Sequence, residues 1–138
     1  MEITPQKSLI IIDPYLLISV RGRIADGSLR SCQCAKFFIC DHLSESDFIS
    51  SEYSQIQAAI ECEDIEQLPV NAIEMGDLFT MRNHLVPYQI ASIAAARFYE
   101  FSFASDCCIF QGQARSVLGD KKVLSGSEII RMIKPSHQ

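Results

Sequence analysis

The sequence predicts an α/β protein: a mainly parallel central sheet flanked by helices, in a three-layer sandwich. Three observations carry this. The run SLIIID, Ser8 to Asp13, is apolar and rich in isoleucine, the pattern of a strand buried on both faces as parallel sheets require. Strand-like runs then alternate with segments of helical periodicity almost to the end of the chain. At 138 residues, 48% hydrophobic and 21% charged, the composition suits one domain, residues 1–138, with a full core.

The elements follow in order. Lys7–Ile12 is the first strand. Pro14 cannot continue a central ladder, so the strand ends at Asp13 and Tyr15–Val20 begins a helix with the proline in its first turn. Ala25–Gly27 reads as a turn, and Ser28–Leu43 has a helical tendency through Cys34, Phe37, Phe38 and Ile39. Phe48–Ser50 is read as a short strand and Ser51–Cys62 as a helix with Ile56, Ala59 and Ile60 on one face. Glu61–Gln67 is acidic and expected on the surface; Leu68–Val70 is a short extended piece. Ala72–Arg82 reads as a helix with Ile73, Leu78 and Met81 pointing one way. Pro87–Tyr99 is the clearest helix, with an apolar stripe of Ile90, Ile93, Ala94 and Phe98. Phe101–Ala104 is a second buried strand ending at Ser105-Asp106. Phe110–Leu118 is a helix stopped by Gly119, and Val123-Leu124 is the last strand. Ser125 to Glu128 forms a capping box for a final helix through Ile133.

The bulk chemistry excludes several classes. No window approaches a membrane span, because Asp13, Arg21 and Arg23 interrupt the only candidate. Met1 to Gln6 carries no basic leader segment and Leu9–Ile12 is too short for a leader core, so a cytoplasmic location is expected. The net charge of −5 shows no basic face for nucleic acid, although Arg21, Arg23 and Arg30, and again Arg115, Lys121 and Lys122, gather locally as solvated groups able to touch phosphates. The six cysteines, at 32, 34, 40, 62, 107 and 108, occur as C-x-C and C-C and never as C-x-x-C. Reduced thiols acting as small buried hydrophobes are expected, in preference to a zinc site built from Cys32, Cys34, Cys40 and His42. The aromatic side chains of Phe79, Phe98, Phe101 and Phe103 are expected in the core. Neither G-x-G-x-x-G nor a phosphate loop occurs, which disfavours a nucleotide-type small-molecule binder. Ser50 and Ser105 have no paired histidine, since His42, His84 and His137 are scattered, and a Cys107–His84 nucleophile pair lacks a positioned base.

The candidate site rests on Asp13 and Asp106. A carboxylate inside an apolar run needs water, a partner or a metal. Each of these two ends a strand, and ligands bind parallel sheets just beyond the carboxyl ends of the strands. If the strands are neighbours, both carboxylates face one crevice and repel unless a cation or proton lies between them. A hard divalent ion is the natural occupant. The alternative is that each aspartate caps the helix that follows it.

The order of these pieces resembles the PIN-domain family, including its VapC-like toxins. IIIDPYLLI is similar to that family's first strand and turn; LVPYQIASIAAARFYEFSFASDCCIF and QARSVLGDKKVLSGSEII are similar to its second half. The resemblance implies a ribonuclease that holds Mg²⁺ or Mn²⁺ with three or four acids and cleaves RNA through a metal-activated water. Carried over, the acids fall on Asp13 and Asp106 as metal ligands and catalytic residues, with Cys107 where a second acid often stands. The acid that opens the long helix falls on Gln89, which has no charge. Glu52 is the better-placed helical acid, with Glu45 as the other choice, and Asp77 or Glu74 as candidates to compensate Gln89. The implied function is a nuclease with an incomplete acidic site and weak or lost cleavage; the alternative is an inactive module that binds RNA or protein. The family further implies a homodimer and an antitoxin-like protein partner.

Overall fold

The structure, a computed structural model, describes residues 7–133; Met1–Gln6 and His137 lie outside the described residues. Five strands, β1 (Ser8–Ile12), β2 (Ala35–Cys40), β3 (Glu66–Leu68), β4 (Ser102–Ala104) and β5 (Val123–Leu124), form one parallel sheet in the order β3-β2-β1-β4-β5. Among the described residues the α-helices are α1 (Pro14–Arg21), α2 (Ser50–Glu61), α3 (Ala72–Met75), α4 (Pro87–Tyr99), α5 (Cys108–Leu118) and α6 (Gly126–Ile133). Helix α1 packs with α2 and α6, and α4 packs with α3 and α5 while crossing β1, β2 and β4. The result is the predicted three-layer α/β sandwich.

The central strands owe their place to their side chains. Ile10, Ile11 and Ile12 of β1 are fully buried, as are Phe103 and Ala104 of β4, so both sheet faces are covered near the site. Burying such side chains stabilises the fold by about 1.5–3 kcal/mol each. Helix α4 brings four alanines and a serine, Ala91, Ser92, Ala94, Ala95 and Ala96, all buried, which lets its backbone approach the sheet closely. Among the described residues no helix is long and apolar enough to cross a membrane.

Several sequence expectations are corrected. Ala35–Cys40 is a strand, not part of a helix: a central strand buried on both faces shows no alternation, and its Phe-Phe-Ile run is β-branched and aromatic. Phe48–Ser50 is no strand; Glu45–Asp47 forms a 3₁₀ turn and Ser50 already opens α2. Ala72–Arg82 is one α-turn followed by 3₁₀ turns from Gly76, because glycine and Asp77 weaken the helix there. Ile73 is consequently 89% exposed. Phe79 and Phe98 are also exposed, while Phe103 is core and Phe101 half-buried. Within the acidic Glu61–Gln67 stretch, Asp64 and Ile65 are buried. Asp64 accepts from Arg21 Nε at 3.1 Å and from Arg30 Nη1 at 3.0 Å, so two members of the first basic cluster pair with a buried acid while Arg30 stays exposed.

Candidate functional site

Strands β1 and β4 pair directly, with Ile12 opposite Ala104. The backbone N–H of Asp13 continues that ladder by donating to the Ala104 carbonyl at 2.9 Å. From β1 the strand order runs outward in both directions, which makes the β1–β4 boundary a switch point, the place where open parallel sheets form a crevice. Asp13 and Asp106 both line a crevice of about 340 Å³ there, together with Tyr15, Tyr88, Gln89 and Cys107.

Asp13 is 4% exposed. Its Oδ1 accepts the Tyr15 N–H at 3.1 Å, so it caps α1, and its Oδ2 accepts the Ser105 hydroxyl at 2.7 Å. Burial pushes the Asp13 carboxyl up from its ordinary value; the bonds from Ser105 and Tyr15 pull the other way, and the charge of Asp106 adds a smaller upward push. Ser105 is itself fully buried and accepts the Cys107 N–H at 3.0 Å. The Gln111 side-chain amide donates to the Ser105 carbonyl. Ser105 is thus fixed from three directions and in turn fixes Asp13.

Asp106 is exposed and does not cap the helix that follows it, the alternative to its role as a ligand. It does not cap α5, whose first residue follows Cys107; its Oδ1 accepts the Gly126 N–H at 2.8 Å and so holds the start of α6. Gly126 is required for the approach, because a Cβ there would stand 2.5 Å from Asp106 Oδ2 and 2.8 Å from Leu16 Cδ1.

The remaining acids divide differently. Glu52 does not line the crevice; its Oε1 closes on the Ile49 N–H at 3.0 Å at the start of α2. Its charge does reach Tyr15, whose hydroxyl is pushed up by burial and then by Glu52, Asp13 and Asp47. Glu45 lies in the exposed 3₁₀ turn before α2. Asp77 pairs with Arg97 at 2.6 Å, away from the crevice. Gln89 lines the crevice, and its Oε1 accepts the Val86 N–H at 2.9 Å at the start of α4.

Sequence reasoning missed the aromatic lining. Tyr15 is 43% exposed, its hydroxyl donates to the Asp47 carbonyl at 3.0 Å, and its ring lies 5.2 Å from Phe48. Tyr88 is buried, and burial pushes its hydroxyl far above its ordinary value, so it stays neutral. The signal for Tyr15 was available: it stands two residues after Asp13, in the first turn of a helix that starts at the crevice.

The crevice offers oxygen donors that could hold one hard cation. Asp13 and Asp106 supply carboxylate oxygens and Gln89 an amide oxygen, the ligand types that Mg²⁺ or Mn²⁺ accept. Among the described residues no group of three His, Cys, Asp or Glu is placed to hold a metal. The cysteines do not form an alternative centre. Cys40 ends β2 and its thiol donates to the Tyr88 carbonyl, whereas Cys34 precedes the other end of that strand, roughly 20 Å away at strand geometry. All six cysteines are free; Cys32 and Cys40 are buried, but Cys34, Cys107 and Cys108 are exposed, against the expectation for small hydrophobes. Compared with known proteins, the chain matches no family model, no curated protein and no solved structure.

Proposed function

We propose that the protein is a PIN-like, nucleic-acid-processing domain of the metal-dependent ribonuclease type, with an acidic site reduced to one weak divalent-cation position and cleavage correspondingly weak or lost. One observation carries the reading: β1 and β4 are paired, so Asp13 and Asp106 line one crevice at the switch point of a parallel sheet. A buried and an exposed carboxylate facing a shared space favour a cation between them. A bound Mg²⁺ or Mn²⁺ would supply a lowered pKa for a ligated water and charge stabilisation at a phosphodiester. The chain's own groups hold the geometry: Ser105 orients Asp13, Gly126 orients Asp106, and Gln89 contributes a neutral oxygen. The reading implies a cytoplasmic protein acting on RNA.

A second reading, an inactive module that binds RNA or a protein partner, is favoured by the neutral Gln89 and by Glu52 being engaged at its own helix start. Thermal melting during a Mn²⁺ titration separates the two. A metal that binds only the folded protein must raise its melting temperature. The first reading expects millimolar Mn²⁺ to raise the wild-type Tm and to leave Asp13→Asn unmoved, each against its own metal-free melt, followed by slow metal-dependent RNA cleavage. Binding of RNA with no Mn²⁺ response in either protein would establish the second reading.

A further inference from the structure

Away from the crevice, two thiols meet at one atom. Cys32 Sγ donates to the Met132 carbonyl at 3.7 Å and Cys34 Sγ donates to the same carbonyl at 3.4 Å. Both sulfurs therefore lie on one oxygen, and the segment carrying them is a bend ahead of β2 rather than a helix or strand. Met132 lies near the end of the described part of α6, and its backbone carbonyl accepts from both thiols. The two thiols thereby tie this end of the described helix to the bend ahead of β2. The thiols are unlike in access: Cys32 is 6% exposed, Cys34 is exposed, and a cavity of about 170 Å³ opens beside both.

We propose that Cys32 and Cys34 are a thiol–disulfide switch that holds the C-terminal end of α6 when reduced and releases it when oxidised. The co-reactant is a small-molecule disulfide. The exposed Cys34, as thiolate, attacks one sulfur of that disulfide, breaks its S–S bond and expels one thiolate. Cys32, as thiolate, then attacks the Cys34 sulfur of the mixed disulfide and expels the second. The protein loses two protons and two electrons; the small disulfide becomes two thiols. Both sulfurs already lie against one oxygen, so bringing them together asks for local side-chain rotation in the bend. Closing the bond removes both S–H donors from Met132. Helix α6 then keeps its hold at the other end, where the Gly126 N–H donates to Asp106, so the switch acts on the element that a crevice acid anchors.

The test is treatment of the whole protein with oxidised glutathione, read by peptide mapping and amide hydrogen exchange; it needs neither metal nor activity. The expected product is an internal Cys32–Cys34 disulfide, two hydrogens lighter, with severalfold faster exchange over 130–133. Reduction should reverse both, and Cys34→Ser should show neither. The exposed position of Cys34 leaves that variant's fold intact. A stable glutathione adduct on Cys34 with Cys32 still free would overturn the proposal, as would an internal disulfide that leaves exchange in α6 unchanged.

Discussion

The hydroxyl of Ser105 donates to Asp13 Oδ2 at 2.7 Å, and the two residues are 0% and 4% exposed. Neither can exchange its partner for bulk water. Ser105→Ala removes that donor and also the acceptor of the Cys107 N–H. Leaving buried polar groups without partners costs about 1–3 kcal/mol, so urea unfolding at neutral pH should show a loss of that size. A loss no larger than that of an exposed serine would show that water reaches the pair.

The upward push on Asp13 gives stability a definite pH dependence. Its folded carboxyl titrates above the ordinary value of 3.8, with burial as the largest cause. Between the unfolded and folded values the native state binds the extra proton, so this group's contribution is full below the unfolded value and is lost as pH rises through the folded one. Asp13→Asn mimics the protonated form and can keep both contacts, because the Ser105 hydroxyl can turn to accept. The variant should be more stable than wild type at neutral and mildly alkaline pH, with the gap closing as pH falls towards 3.8. A gap that widens on acidification would mean that the ionised form is the favoured one.

Gly126 and Asp106 form a second coupled pair. Gly126→Ala brings a Cβ onto Asp106 Oδ2 and Leu16 Cδ1, and overpacking of this kind costs about 1–3 kcal/mol. In an Asp106→Ala background the first clash is gone and the cost should fall. A double-mutant cycle with no interaction term would show that the two residues act independently.

At the opposite end of the sheet, Asp64 is buried with two arginines on its carboxylate. Arg21 is the more buried of the two and also donates to the Gln55 carbonyl at 2.9 Å. Arg21→Met should therefore cost more than Arg30→Met. Removing both leaves a buried charge without a partner, a loss of about 3–5 kcal/mol. Two equal single losses that simply add would argue that solvent already reaches Asp64.

The sequence carried the layers and the two strand-ending aspartates for a physical reason: Asp-Pro and Ser-Asp each terminate an apolar run, and termination is a local property. Pairing is not local. Nothing in Ile10–Ile12 or Phe103–Ala104 says that β1 and β4 are neighbours, and the crevice exists only because they are. The β2 run Phe37–Cys40 was obscured for a related reason, since burial on both faces erases the alternation that marks a strand. Glu52 was placed in the site by chain order, but three-residue spacing to Ile49 gives it a closer partner. Asp106 was readable as an acid at a strand end, not as the cap of a helix twenty positions on.

Gln89 offers the sharpest test of the crevice. Its Oε1 already accepts the Val86 N–H, and a glutamate carboxylate can make the same bond, so Gln89→Glu keeps the start of α4. The first turn of a helix also favours a negative charge. Against this, the new carboxylate joins Asp13 and Asp106 around one space, and like charges there repel. The metal-free variant should melt no higher than wild type. Mn²⁺ should then bind it more tightly by tenfold or more, about 1.4 kcal/mol, and raise its Tm further than that of the wild type. If RNA cleavage rises in step, the weak native site is explained by the missing charge at this one position. If Mn²⁺ raises the variant's Tm no further than the wild type's, Gln89 does not face a cation, and the crevice is better understood as a binding surface.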